Sequence, residues 1–309
     1  MTNRIDDDDF EPLPPRRPLL RRKRVLIPLA ALVAILVAFL LLRTPDTDRD
    51  AMIAKYGGAE ATFAVGPGGQ RVHYRDQGKP GAPAIILLHG SNSSLHTWEP
   101  LVRRLGADYR IVTLDLPGHG LTGGTPDKNY GADAMGAAVD IVAARLGIER
   151  FVLGGNSTGG WVAWRYALAH PERVDALLLL DAAGMPLRRG ERKPQSNVGF
   201  RILQYPLGRW LATQITPRTL VERSLRGSVE NQAIVDGAMV DRYWELLRFP
   251  GNREATVLRA RLNREPAMAD RIGDIAAPTL ILFGTEDRLI NASAAHTFNE
   301  RIAGSEVVL

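Results

Sequence analysis

Apolar residues along the chain form one long uninterrupted run and a series of short ones. The long run, Val25–Leu42, has eighteen residues and no charged side chain. As a helix it would be about 27 Å long, close to the hydrocarbon thickness of a bilayer. It has no polar face, which disfavours a core helix of a globular domain. The pattern predicts one membrane-spanning helix over residues 25–42.

The charges flanking this run predict its orientation. Six Lys/Arg residues lie between residues 16 and 24, while Asp46, Asp48 and Asp50 follow the run. The positive-inside rule then keeps the N-terminus cytoplasmic and places the main domain on the extracytoplasmic side of a single-pass protein. A cleaved signal peptide is the competing interpretation, but the run exceeds a usual h-region and lacks a small-residue cleavage site. Residues 1–24 are predicted to be a disordered tail.

After a polar linker over residues 43–61, short strand-like runs alternate with helix-like stretches. This alternation predicts an α/β fold, a mainly parallel central sheet with helices on both faces. A Gly-Pro-Gly-Gly segment between the first two runs indicates a hairpin. The predicted strands are residues 62–65, 71–75, 85–88, 111–114, 151–153, 176–180, 279–283 and 307–309.

The alternation disappears between residues 185 and 273. Helical patterns replace it at 200–211, 232–247 and 253–262, separated by prolines. The segment is therefore predicted to be a helical lid inserted between two strands, over the carboxyl edge of the sheet. The lid divides the core into a first part, residues 62–184, and a second part, residues 274–309.

Candidate chemistry centres on the string Gly155-Asn156-Ser157-Thr158-Gly159-Gly160, which follows a predicted strand and opens a predicted helix. This is the G-x-S-x-G pattern in its nucleophile-elbow context. The sharp turn forces the serine into strained backbone geometry and exposes its hydroxyl near a helix N-terminus, where N–H groups favour negative charge. A glycine-rich helix start is the alternative. The context favours Ser157 as a nucleophile.

Three further motifs occur in order around this string, and together they resemble the α/β-hydrolase family from about Gln70 to the C-terminus. They are His89-Gly90 after a strand, Asp115-Leu116-Pro117-Gly118-His119-Gly120, and Gly284-Thr285-Glu286-Asp287 after a strand. The resemblance implies that Ser157 is the acyl-forming nucleophile and that Asp287 is the acid that orients the base. It also implies an oxyanion hole formed by backbone N–H groups of Thr158 and Ser91. An N-cap role before the next helix is the alternative for Asp287.

The histidine base of the family has no counterpart among the matched motifs. In the family it follows the last strand, whereas this chain stops at Leu309, within the last predicted strand. His296 follows Asp287 but lies on a predicted helix, where a surface or packing role is favoured. The other five histidines are His73, His89, His96, His119 and His170. We expect either a fragment, the favoured interpretation, or a natural protein that has lost hydrolysis; in both cases the chain would be weak or inactive.

Composition and charge exclude several classes. The chain has no cysteine, which removes disulfides and thiolate chemistry. Its net charge is +5, and residues 185–273 hold sixteen Lys/Arg against nine Asp/Glu. No nucleic-acid-binding motif accompanies that excess, so a solvated basic face is favoured over nucleic-acid binding. His and acidic residues lack ligand-like spacing, and we expect no metal or cofactor.

These observations predict a membrane-anchored enzyme that hydrolyses a small ester or lipid-like substrate through an acyl-enzyme. A C–C bond hydrolase of the same fold is the first alternative, because the Ser-x-Gly-Gly string with Trp161 beside it resembles those enzymes. A non-catalytic, membrane-anchored binding domain is the second. The sequence leaves the substrate and the oligomeric state open.

Overall fold

The computed structural model describes residues 19–58, 61–188, 190–191, 201–262 and 266–309, with side chains from Val25 in the first helix and from Met268 in the last segment. The chain divides into two compact units, residues 1–43 and residues 44–309. Most of the tail predicted over residues 1–24 lies outside the described residues.

The first unit contains helix α1 (Leu19–Leu42), which begins six residues before the predicted span. Its segment Val25–Leu42 has a mean hydropathy of 3.1 and contains no buried residue. Length and composition therefore suit a membrane anchor or a signal sequence. The helix extends to Leu19 because leucine, lysine and arginine are good helix formers.

The second unit is built on an eight-stranded sheet in the order β1-β2-β4-β3-β5-β6-β7-β8. The pairs β1–β2 and β2–β4 are antiparallel and the remaining pairs are parallel. This is the mainly parallel sheet that the sequence predicts. The strands are β1 (Thr62–Val65), β2 (Arg71–Gly78), β3 (Ala84–Leu88), β4 (Arg110–Leu114), β5 (Phe151–Asn156), β6 (Val174–Leu180), β7 (Thr279–Leu282) and β8 (Glu306–Val308).

Helices cover both faces of the sheet. The alternation of side chains along β3 directs Ile86 and Leu88 toward α4 and α5, and Ile85 and Leu87 toward Trp98 and α3. The helices are α2 (Arg49–Tyr56), α3 (Glu99–Leu105), α4 (Ala132–Leu146), α5 (Thr158–Ala169), α6 (Pro206–Gln214), α7 (Arg218–Arg226), α8 (Gly237–Leu247), α9 (Asn252–Arg259) and α10 (Ser293–Arg301), and short 3-10 turns occur at Leu95–Trp98, Gln232–Ile234 and Pro266–Asp274.

Helices α6–α9 lie between β6 and β7 in the chain, where the sequence predicts the lid. The helix predicted over residues 232–247 is divided, because Asp236 stops one turn and caps the next helix by accepting a hydrogen bond from the Met239 N–H (2.7 Å). Residues 192–200, at the start of the predicted lid, lie outside the described part of the chain.

The segment predicted as a linker, residues 43–61, contains helix α2 and packs on the lid helices. Asp48 caps α2 by accepting from the Ala51 N–H (2.8 Å). Residues 44–48, here called the strap, donate backbone hydrogen bonds from Thr44 to the Gln214 carbonyl and from Thr47 to the Arg248 carbonyl, each 2.9 Å long. The polar character of this segment therefore reflects bonding to the lid.

Candidate active site

Ser157 occupies the sharp turn between β5 and α5, as the sequence predicts. Its backbone angles, φ 52° and ψ −115°, lie in a region that non-glycine residues rarely adopt. A Cβ atom on Gly159 would lie 2.2 Å from the Leu88 carbonyl oxygen, and one on Gly155 would lie 2.3 Å from the carbonyl carbon of Gly159. Glycine at both positions is thus required for β3, β5 and α5 to meet at this point.

The two residues predicted to provide oxyanion-hole donors lie together beside Ser157. Ser91 Oγ and Thr158 Oγ1 are 2.6 Å apart. A Cβ atom on Gly90 would lie 3.3 Å from the Ser157 Cβ, so the loop after β3 touches the serine. Thr158 is the first residue of α5, where a backbone N–H has no partner within the helix. Thr158, which follows Ser157 directly, and Ser91 on the loop that approaches it are therefore neighbours, and both remain candidate N–H donors.

His89 fixes the peptide that carries one of these donors. Its Nδ1–H donates to the Gly90 carbonyl (2.8 Å), and its Nε2 accepts from the Leu116 N–H (3.0 Å), which defines a neutral ring. Burial lowers the pKa of His89 and keeps it neutral. Because the peptide is trans, the Ser91 N–H points away from the Gly90 carbonyl that His89 holds. His89 is therefore buried behind the site and outside the cleft.

Asp115, fully buried, ties together the loops behind this wall. It accepts hydrogen bonds from the backbone N–H groups of Leu95 (2.7 Å) and Leu121 (2.8 Å) and from His73 Nδ1 (2.7 Å). Burial alone would raise the pKa of Asp115, but the hydrogen bond and charge of His73, with the smaller effects of His89 and Leu95, lower it to about 2. The carboxylate is thus a fixed negative centre that positions both loops.

Asp287 lies after β7, as predicted, and part of its carboxylate is used by its own loop. Its Oδ1 accepts from the Leu289 N–H (2.6 Å) and the Ile290 N–H (3.1 Å). These bonds to nearby N–H groups are of the kind expected for the alternative N-cap role of Asp287. Asp287 also lines the same cleft as Ser157. Oδ2 is the oxygen that could orient a base.

A second carboxyl group, Asp181, lies at the end of β6 beside Asp287. Its φ of 43° is strained, and its Oδ1 accepts from the Gly284 N–H (2.7 Å). Burial raises the pKa of Asp181; the Gly284 hydrogen bond opposes that rise and the charge of Asp287 reinforces it. The sequence prediction missed Asp181, although its place directly after a predicted strand is a usable signal.

Ser157, Asp181 and Asp287 open into a cleft of about 1380 Å³ between the carboxyl ends of the strands and the lid. We call Gly90, Ser91, Asn156 and Ser157 the core wall, and the cleft-lining residues of α6–α9 the lid wall. The lid wall includes apolar side chains such as Leu220, Val221 and Val257. The cleft is therefore large enough for a substrate well beyond a simple short ester.

The lid wall contacts the loop after β3 through side chains. Asn92 Oδ1 accepts from Thr256 Oγ1 (2.9 Å) and from Arg259 Nη2 (3.1 Å). The Tyr243 hydroxyl lies 3.0 Å from Ser93 Oγ. Asn92, which also has a positive φ of 57°, was not among the sequence-predicted site residues.

All six histidines fall within the described residues, and none of them lines the cleft. His296 is exposed on α10, while His73, His89, His96 and His119 are buried in the second unit. Burial is the main reason that the pKa of His96 falls to about 4. Within the described part of the chain no group of three or more His, Cys, Asp or Glu side chains could hold a metal ion.

Comparison with known proteins defines the class. The family model for the α/β-hydrolase fold matches residues 83–309. The chain therefore belongs to the α/β-hydrolase fold family, a family of hydrolases.

The similar proteins include dienedioate hydrolases and a membrane phospholipase. The chain is 30% identical over 227 residues to a 2-hydroxy-6-oxononadienedioate/2-hydroxy-6-oxononatrienedioate hydrolase of Paraburkholderia phymatum, covering 71% of this chain and 76% of that protein. It is 28% identical to the Klebsiella pneumoniae enzyme of the same name, covering 77% and 82%. Among solved structures, a bacterial membrane phospholipase A is 26% identical, with a TM-score of 0.65 and coverage of 93% of this chain and 90% of that one.

Proposed function

We propose that the chain is a membrane-anchored serine hydrolase that cleaves an ester bond in an apolar or amphipathic substrate. The observation that carries this proposal is the strained Ser157, which lines a cleft with an apolar lid wall. The similarity to a membrane phospholipase, which extends over most of the chain, supports the same substrate class. The N-terminus is cytoplasmic and the hydrolase domain extracytoplasmic in this proposal, because of the basic flank before α1.

The proposed reaction has two steps. Ser157 Oγ bonds to the acyl carbon, the C–O bond to the alcohol breaks, and the alcohol leaves with the proton that Oγ gave up. Water then attacks the acyl-enzyme, releases the acid and restores the serine. The N–H groups of Thr158 and Ser91 stabilise the negative oxygen in both steps, each by about 3 kcal/mol.

The proton transfers need a base, and Asp287 Oδ2 would orient it. Since no histidine of the chain lines the cleft, we expect the 309-residue chain to acylate slowly. When a nucleophile, a base and an orienting acid act together, loss of one of the three lowers the catalytic rate by several orders of magnitude.

A C–C bond hydrolase is the second candidate, because the relatives at 28–30% identity are named as hydrolases of 2-hydroxy-6-oxononadienedioate and 2-hydroxy-6-oxononatrienedioate. A dienedioate substrate would carry two negative charges. Four carboxyl groups line the cleft here, Asp181, Glu230, Glu286 and Asp287, of which Glu230 pairs with Arg288. Of the lining arginines, Arg253 pairs with Asp46, Arg209 donates to backbone carbonyls and Arg259 donates to Gly118 and Asn92. This charge pattern favours an uncharged ester.

The test is covalent labelling of the full chain in detergent with a long-chain fluorophosphonate, followed by mass spectrometry. We expect slow labelling at Ser157, none in Ser157→Ala, and unchanged labelling in the control Ser305→Ala. Absence of label on Ser157 at long times would favour a binding domain. Steady-state assays then compare a series of p-nitrophenyl esters with a 2-hydroxy-6-oxodienoate; faster turnover of the dienoate would establish the C–C reaction instead.

A further inference from the structure

The strap joins the start of the second unit to the lid wall. The Thr44 N–H donates to the Gln214 carbonyl, the Thr216 N–H donates to Thr44 Oγ1 (2.7 Å), and Arg253 donates to the Thr44 carbonyl (2.7 Å). Arg253 also pairs with Asp46 at 2.6 Å, and its side chain is only 9% exposed. The first residue of the second unit is thus bonded to the C-terminal end of α6.

Only Arg43 separates Thr44 from Leu42, the last residue of the apolar helix. Two residues span at most about 7 Å of extended chain. The polar headgroup layer on each side of a bilayer is about 5–8 Å thick. If residues 25–42 span a membrane, the covalent chain therefore keeps Thr44, and with it Gln214, in or beside the headgroup layer.

Helix α6 and Tyr205, the residue that precedes it, carry large apolar side chains on their outer side. Tyr205 is 67% exposed, Leu207 is 66% exposed and Trp210 is 53% exposed. Trp210 precedes Gln214 by four residues, about 6 Å along the helix axis. On the opposite side of α6, Arg209 and Ala212 line the cleft. One short helix thus separates the cleft from an exposed aromatic and aliphatic face.

We propose that this face, Tyr205, Leu207 and Trp210, lies in the headgroup layer of the bilayer and is held there by the strap. Tryptophan and tyrosine favour that depth because their rings are apolar and their N–H or O–H groups remain hydrated. The excess of basic over acidic residues in the lid suits an anionic lipid surface. The inference rests on the membrane span of the proposed function and is independent of the chemistry at Ser157.

Depth-dependent quenching of Trp210 fluorescence tests it, using the full chain in nanodiscs of phosphatidylcholine and phosphatidylglycerol. Trp98, Trp161 and Trp164 are buried and Trp244 is half-buried, so the difference between wild type and Trp210→Phe isolates Trp210. We expect lipids brominated near the headgroup to remove most of that emission, and aqueous iodide to remove little.

The control places a tryptophan at Tyr109, which is 38% exposed directly before β4, at the amino ends of the parallel strands and opposite the carboxyl ends that face the lid. In the double variant Tyr109→Trp/Trp210→Phe, iodide should quench the emission of the tryptophan placed at position 109, and brominated lipid should not. Quenching of Trp210 by iodide would overturn the proposal. So would shielding from both quenchers, which would place a second protein copy on the face.

A six-residue Gly-Ser insertion between Arg43 and Thr44 tests the strap, since it adds up to about 20 Å of chain. In the insertion variant we expect brominated lipid to quench Trp210 fluorescence less than in wild type, and iodide to quench it more. Unchanged quenching by both would overturn the role of the strap. Alkaline carbonate extraction distinguishes failure of the anchor from failure of this inference. A chain released by carbonate lacks the span, whereas a retained chain with iodide-accessible Trp210 has the span and contradicts the lid contact.

Discussion

The core wall and the lid wall face each other across one cleft but are positioned by different means. Directly behind the core wall, the backbones of Gly155, Gly159 and Leu88 meet at distances that leave no space for a Cβ atom, and the buried carboxylate of Asp115 binds the neighbouring loops. The lid wall meets the same loop through side-chain hydrogen bonds such as Tyr243 to Ser93. The comparison indicates that Ser157 is held rigidly, whereas the lid wall can change at small cost.

The largest expected effect comes from adding one methyl group directly behind the core wall. In Gly159→Ala, the new Cβ would lie 2.2 Å from the Leu88 carbonyl oxygen, a backbone atom that cannot move independently. We expect the free energy of unfolding to fall by about 4 kcal/mol or more, measured by urea denaturation of the full chain in detergent. The control is Gly136→Ala in α4, whose nearest atom is Tyr166 Cδ2 at 3.4 Å. It should be neutral or stabilising by up to about 1 kcal/mol, and equal losses in both variants would contradict the rigid core wall.

Asp115→Asn should have the next largest effect, because it removes the charge that His73 and two loop N–H groups bind. Breaking a buried pair of this kind costs about 3 kcal/mol. The surface pair Arg110–Asp76 provides the control, since Asp76→Asn should cost less than about 1 kcal/mol. If the two variants lost the same free energy of unfolding, the buried contacts of Asp115 would contribute no more to stability than the surface pair does.

The same carboxylate predicts a pH dependence. The folded pKa of Asp115, about 2, lies below the ordinary value of 3.8, so folding favours the ionised form. Its contribution to stability is complete above about pH 4 and is lost as the pH falls toward 2, a change of about 2–3 kcal/mol. Unfolding curves between pH 2 and 5 should show this loss in wild type and a smaller loss in Asp115→Asn.

The smallest effect is expected on the lid wall. Tyr243→Phe removes one hydroxyl, and Ser93 Oγ retains Thr97 Oγ1 as a partner at 2.5 Å. We expect the free energy of unfolding to fall by less than about 1 kcal/mol. Tyr130→Phe sharpens the contrast, because it leaves the buried Thr125 N–H without the hydroxyl that accepts from it at 3.2 Å. That variant should cost about 1–3 kcal/mol; a larger loss for Tyr243→Phe than for Tyr130→Phe would reverse the comparison.

The core could be predicted from the sequence because its signals are local. Short apolar runs predict the strands, and the glycines around Ser157 predict a tight strand-to-helix turn. Tyr56 and the other apolar residues of α2, by contrast, lie in a segment whose overall composition is polar. Nothing in that composition indicates that Met52 and Ile53 pack against Leu246 and Phe249.

The proximity of Asp181 to Asp287 was not predictable from spacing for a related reason. Asp181 and Asp287 lie near each other because they follow β6 and β7, which are neighbours in the sheet. More than a hundred residues separate the two aspartates in the chain. The order of strands across a long insertion is a property of the whole fold. The carboxyl end of each strand was visible in the sequence, but the pairing of those ends was not.

The strap also sets an order of events during synthesis. Its bond from Arg253 to Asp46 joins residues 207 positions apart. At translation rates of about 5–20 residues per second, Arg253 is synthesised about 10 to 40 s after Asp46. The amino-terminal segment therefore stays unpaired while the central strands form, and the lid is fastened among the last steps of folding. A slowed or paused ribosome would lengthen that interval and leave the nascent chain open to proteases for longer.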